Sequence, residues 1–173
     1  MLKRRRLVLS VIVSVALCAT MAVFGGVPND ALAIFGISEA EVVPLVPVPV
    51  DYQGKKMPEG WWTDPKVIEA GRQIYEGKGN PEVKCFECHG SDGVPTRKGR
   101  GARDFRNAKD INRYTDDYWF WRISEGVPKT KMVGWKDQIN EEQRWQVMAY
   151  EHMFSHGGKA EAHEHAEQKV GAH

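Results

Sequence analysis

The sequence predicts an all-α domain with about three main helices, on three observations. Apolar residues recur at helical spacing in three separate stretches, each opened by a capping residue, and no stretch shows convincing strand alternation. Pro and Gly break the intervening segments. A single Cys-x-x-Cys-His run, Cys85-Phe86-Glu87-Cys88-His89, lies between the first two helical stretches.

Before the helices comes a leader. Lys3-Arg4-Arg5-Arg6 is followed by an apolar run from Leu7 to about Val27 and then by Ala31-Leu32-Ala33, a small-x-small site where a signal peptidase could cut. Residues 1–33 are therefore expected to be a signal peptide or an N-terminal membrane anchor. The run through residues 7–27 is nearly long enough to span a bilayer of about 30 Å, so it would be the membrane contact if uncut. Either way the rest of the chain is expected to be exported, as a periplasmic protein or one anchored to the outer face of the cytoplasmic membrane. Cys18 sits inside the apolar run after Leu17, a poor lipoprotein site, and reads as one more apolar residue. Residues 34–61 follow, with Pro44, Pro47, Pro49 and Pro58 among valines, and read as an extended arm or linker.

The compact domain is expected over residues 62–156. Asp64-Pro65 is a helix start, an acidic N-cap with Pro at the first helical position, and Gly77 a stop. Ile68, Gly71 and Tyr75 form one stripe between them, with Val67 and Ile74 alongside. Gly in mid-helix costs about 1 kcal/mol relative to Ala, so Gly71 calls for a reason, and close approach of a second helix would supply one. Thr115, with Asp116 and Asp117 in the first turn, is expected to cap a second helix through Tyr118, Trp119, Trp121 and Ile123 to Gly126. Asn140 with Gln143 resembles a capping box and opens a third helix whose Trp145, Met148, Ala149 and His152 share a face. Gly157-Gly158 ends it. Residues 157–173 hold His163, His165 and His173 among Ala, Glu and Lys, and read as a mobile tail; two imidazoles there would make only a weak, unorganised metal site.

The Cys-x-x-Cys-His spacing suits covalent attachment of one haem c. Cys85 and Cys88 can each form a thioether to a vinyl group, and His89 then reaches the iron from the same side. A structural zinc site would need further Cys or His ligands at short spacing, and outside the leader there is no other cysteine. A redox dithiol would be expected near a βαβ pattern. A core of about 95 residues is marginal by area, so the macrocycle is expected to be part of the fold. The second axial ligand has several candidates. Met57 lies in the Pro-rich arm, and Met148 and Met153 lie on a helix where packing explains them. Met132 lies in the polar loop Pro128 to Trp135, where core filling does not explain it, and its thioether is a soft iron ligand.

Residues 64 to 155 resemble a class I cytochrome c domain. Gly71 and Tyr75, Cys85-x-x-Cys88-His89-Gly90, the Gly126 to Trp135 loop with Thr130 and Met132, and Trp145 to Tyr150 carry the resemblance. It implies thioethers at Cys85 and Cys88, His89 and Met132 as axial ligands, and one-electron transfer without catalytic residues. It also implies that the first and last helices cross at a small residue and an aromatic. Two departures are Val133 after Met132, where Pro is frequent, and Pro95 rather near His89, which leaves the carbonyl acceptor of His89 unassigned. Trp119, Trp121, Trp135 and Trp145 are read as pocket wall rather than electron relays. The alternative is a haem enzyme or gas sensor with an open iron site.

Charge narrows the partners. Residues 1–33 hold four basic and one acidic group of the totals of 24 and 23, leaving 20 and 22, a net of −2 that argues against nucleic acid. Arg97, Lys98, Arg100, Arg103, Arg106, Lys109 and Arg113 crowd residues 97–113, whereas residues 137–167 hold seven acids against Arg144 and Lys159. Either these are two solvated faces or they form a charge dipole that orients docking to redox partner proteins, including a membrane respiratory complex.

Overall fold

The structure is a computed structural model that describes residues 45–162. The leader, with its cleavage site and residues 7–27, the first part of the arm, and His163, His165 and His173 lie outside the described residues. Among those described there are five helices and no strand: α1 Pro65–Tyr75, α2 Cys85–His89, α3 Ala108–Ile111, α4 Asp116–Glu125 and α5 Glu141–Ser155. None is long and apolar enough to cross a membrane.

The helix starts follow from local chemistry at two of the three main helices. The Asp64 side chain accepts from the Lys66 N–H at 2.8 Å, with Pro65 in the first turn. At α5 the capping box is complete, Asn140 accepting from the Gln143 N–H and Gln143 from the Asn140 N–H, both at 2.9 Å. Thr115 behaves differently: it occupies the N-cap position of α4 but makes no capping hydrogen bond, and its hydroxyl donates to Asp117 instead.

That leaves the first-turn acids of α4 for another task. Asp116 accepts from the backbone N–H of Met57 at 2.7 Å, and Asp117 from that of Gly54 at 2.9 Å. Tyr52 donates to Glu125 at the far end of the same helix, and Lys55 pairs with Glu141 at 3.0 Å. The arm is thereby tied along α4 and onto α5. It also reaches the core: Met57 is 7% exposed, and Trp62 packs on His152 at 4.4 Å.

α1 and α5 cross at Gly71. A Cβ built there would lie 2.0 Å from the Gln146 carbonyl oxygen and 3.1 Å from the Tyr150 Cβ, so only glycine permits the approach. One turn on, Tyr75 meets Tyr150 and Phe154 at ring separations of 5.3 and 5.6 Å. The buried face of α1 is Val67, Gly71, Ile74 and Tyr75, which leaves Ile68 half-buried, a shift of the stripe expected from the sequence. α5 buries Trp145, Met148, Ala149 and His152 as one face but also Val147 and Glu151, because it has a neighbour on a second side as well. Where α5 meets α4, Trp145 stacks on Phe120 at 4.0 Å.

Candidate functional site

Short helix α2 carries Cys85, Cys88 and His89, and Gly90 ends it with φ 76°. Its position is set by α1, because the Tyr75 hydroxyl donates to the Gly90 carbonyl at 2.6 Å in the buried interior. The two thiols are not joined to each other. They line a cavity of about 920 Å³ together with His89 and Met132, at the upper end of the roughly 300–1,000 Å³ usual for small-molecule and cofactor sites. Met57, Met148 and Met153 are not in its wall. Of the four tryptophans read as pocket wall, Trp119 and Trp135 line it, whereas Trp145 is spent on Phe120 and Trp121 carries the Arg122 guanidinium at 3.8 Å.

Burial pushes the His89 pKa down, and the backbone of Arg103 acts in the opposite direction. The imidazole is thus kept neutral, the form that binds a metal. Its ring stacks on Phe105 at 4.5 Å and 4° between planes, which fixes its plane. Nδ1 is buried and meets no partner at full hydrogen-bond geometry. A group that acts on His89 from the backbone is thus Arg103, further along the chain than Pro95. Burial also holds the Cys85 thiol well above its ordinary range.

The Met132 loop is built more firmly than a polar, Pro- and Gly-containing sequence suggests. An isolated antiparallel bridge joins Gly126 to Val133. Within it, the Val127 N–H donates to the Met132 carbonyl at 3.0 Å, and the Met132 N–H to the Thr130 hydroxyl at 3.1 Å. Gly126 has φ 76°, and a Cβ there would sit 2.4 Å from the Met132 oxygen, so glycine is required for the loop to close. Met132 itself is half-buried.

Charge around the cavity is one-sided. Lys84, Arg100, Arg103, Arg122, Lys129 and Lys131 contribute to its lining, and Glu151 is the one acid among the described residues there. This ring shares only Arg100 and Arg103 with the run at residues 97–113. Within that run Arg103 and Arg113 pair with Asp110, Arg106 with Asp92 and Asp104, and Lys98 with Glu87. The fold neutralises much of the stripe and assembles the basic rim from three separated segments.

Glu151 was not singled out by its sequence context, where it is one of seven acids. It is 4% exposed, and its Oε2 accepts from the Trp119 indole N–H at 3.0 Å. A signal was present: Glu151 lies three and four positions after Met148 and Val147, on the buried face of α5.

The cavity fits a covalently held haem. It offers two unpaired thiols, a neutral imidazole with a fixed plane, a thioether on a pinned loop, and apolar walls that include Phe105, Ile123, Ile139 and Val147.

Residues 66–150 match the family described as "Cytochrome C oxidase, cbb3-type, subunit III". No curated protein matches the chain. Among solved structures it is similar to a chain of the Kuenenia stuttgartiensis reducing HAO-like protein complex, at 22% identity and a TM-score of 0.43, over 69% of this chain and 53% of that one. It therefore spans about half the length of that relative.

Proposed function

We propose, from the match of residues 66–150 to that cytochrome family, that they form a class I cytochrome c domain and that the chain is a one-electron carrier with one haem c held by thioethers to Cys85 and Cys88 and ligated by His89 and Met132. The observation that carries this reading is that these four side chains, drawn from α2 and from a loop more than forty residues further on, line one cavity.

The haem supplies the one-electron couple. The protein's own residues decide how easily that couple turns over. Burial keeps His89 unprotonated, Phe105 holds its plane, and the Gly126–Val133 bridge holds Met132. Two fixed ligands mean that little moves when the charge changes by one. Phe105, Trp119 and Ile123 give the site apolar walls, which would keep reorganisation small, and a thioether ligand favours the reduced form and raises the potential.

The basic rim would orient docking to an acidic face of a redox partner. The chain would work outside the cytoplasm, behind the leader at residues 1–33, as a mobile carrier or as the cytochrome subunit of a respiratory or oxidoreductase complex. In neither case does it need a base or nucleophile.

The test is to express the full chain with its leader in a host that attaches haem to exported proteins. Intact mass should show one covalent haem, and potentiometry a single one-electron transition. A chain that is exported, folded and free of covalent haem would overturn the reading.

A further inference from the structure

Glu151 is the one acid among the described residues that line the cavity, where every other charged side chain is basic, and carrying an electron gives it nothing to do. It points into the site from α5 and is nearly sealed from solvent. Its carboxyl has one hydrogen bond, from Trp119, and no ion pair among the described residues. A buried carboxylate without a cation is costly, and the usual outcome is that it takes up a proton. Burial pushes this carboxyl up to about 8, partly offset by the Trp119 hydrogen bond.

We propose that Glu151 couples proton uptake to electron uptake: when one electron enters the site from a donor protein, the Glu151 carboxylate takes one proton from solvent and becomes the neutral acid. The inference rests on the haem reading above. The balance is one electron and one proton in, one O–H bond formed, and no change in the total charge of the pocket. The physical cause is repulsion, because an electron added beside a buried carboxylate raises its energy in a medium of low dielectric. Oxidation reverses both steps.

The other titratable groups that face Glu151 do not substitute for it. From α1, Tyr75 donates to Gly90, and burial, with the Glu151 charge adding to it, holds its hydroxyl far above the ordinary phenol range. From α2, Cys85 no longer titrates once it is a thioether. From α4, Trp119 only donates. Across the cavity Arg103 is paired with Asp110 at 3.0 Å, and burial holds Tyr114 well above its usual value. Next along α5, His152 packs on Trp62 and His156 and does not line the cavity.

The experiment is a spectroelectrochemical titration at a series of pH values, on protein whose covalent haem has first been verified by mass. In the wild type the midpoint potential should fall around pH 8, by up to about 59 mV for each tenfold drop in proton concentration, the constant for a one-electron couple. Glu151→Gln keeps the shape and an acceptor for Trp119, and should flatten that segment of the curve. A slope that persists in Glu151→Gln, or a wild type with none, overturns the coupling while leaving the carrier reading intact. A chain without covalent haem fails the carrier reading instead. If Glu151→Gln does not load haem, Trp119→Phe removes the bond that lowers the carboxyl pKa and should move the wild-type window to higher pH. An unmoved window overturns the proposal.

Discussion

The two sides of α5 make opposite demands on the chain. On one side α1 comes so close at Gly71 that a single added carbon would stand 2.0 Å from the Gln146 carbonyl, and the aromatic rings of Tyr75, Tyr150 and Phe154 fill what remains. On the other side the same helix helps wall a cavity of about 920 Å³ with Glu151 in its lining. The crossing is satisfied by protein atoms alone. On the reading proposed above a covalently held haem fills the cavity, and stability on that side would then depend on a molecule that the chain must capture. The comparison teaches that the protein-filled side positions Cys85, Cys88 and His89, through the Tyr75 to Gly90 hydrogen bond, and an attached haem would then complete the core on the other side.

The largest expected effect breaks the cavity side. Cys85→Ala with Cys88→Ala should abolish stable holoprotein, and each single change should leave at most one thioether. Haem staining on a denaturing gel and the yield of folded protein check this. A normally folded, haem-free double variant would show that the cavity side needs no partner.

Gly71→Leu attacks the other side and should cost about 3 kcal/mol, the upper end for an overpacked core, because a backbone carbonyl cannot swing away as a side chain can. Urea unfolding of the haem-loaded protein measures it. A cost below about 0.5 kcal/mol would mean that the helices cross elsewhere.

Two of the helix starts were legible in the sequence because caps are local: Asp64-Pro65 and Asn140 with Gln143 act within one turn. Gly71 was legible for a different reason, since a helical glycine that propensity disfavours calls for a tertiary explanation, and the crossing supplies it. The roles of Asp116 and Asp117 were not legible. Acids in a first turn look the same whether they support the helix dipole or hold a distant strap, and here they hold the backbone at Met57 and Gly54. The tightness of the Met132 loop was also hidden, because its bridge and the Thr130 contact are backbone geometry that a polar loop composition does not encode. The basic rim of the cavity was hidden for a related reason. Charge counted along the chain ignores pairing, and Asp110 takes two of the arginines that crowd residues 97–113.

A smaller effect sharpens the cavity side through pH. Glu151 has its folded pKa raised to about 8 from an ordinary 4.5. Its neutral form is the one the fold favours, so the contribution is fully present below about pH 4.5 and is lost as pH rises through about 8. Glu151→Gln cannot ionise, and its melting temperature relative to the wild type should therefore climb as pH rises through that window. A difference that stays constant with pH would place the carboxyl in contact with water.

The smallest effect is expected where neither side of α5 is touched. Truncation after Gly158 leaves α5 whole, with the Gly158 N–H still donating to the Met153 carbonyl at 2.8 Å. Spectrum, potential and melting temperature should match those of the full chain. A fall of more than a few degrees would show that the removed residues pack on the domain.

On the proposed reading, a haem held by both His89 and Met132 would close the cavity side. Absorption spectroscopy of the haem-loaded wild type beside Met132→Ala tests it most directly. The wild type should show the weak ferric band of thioether-to-iron charge transfer and bind carbon monoxide slowly, and Met132→Ala should lose the band, bind carbon monoxide fast and keep its covalent haem. A wild type without the band that binds carbon monoxide rapidly, or a Met132→Ala indistinguishable from the wild type, would contradict the account.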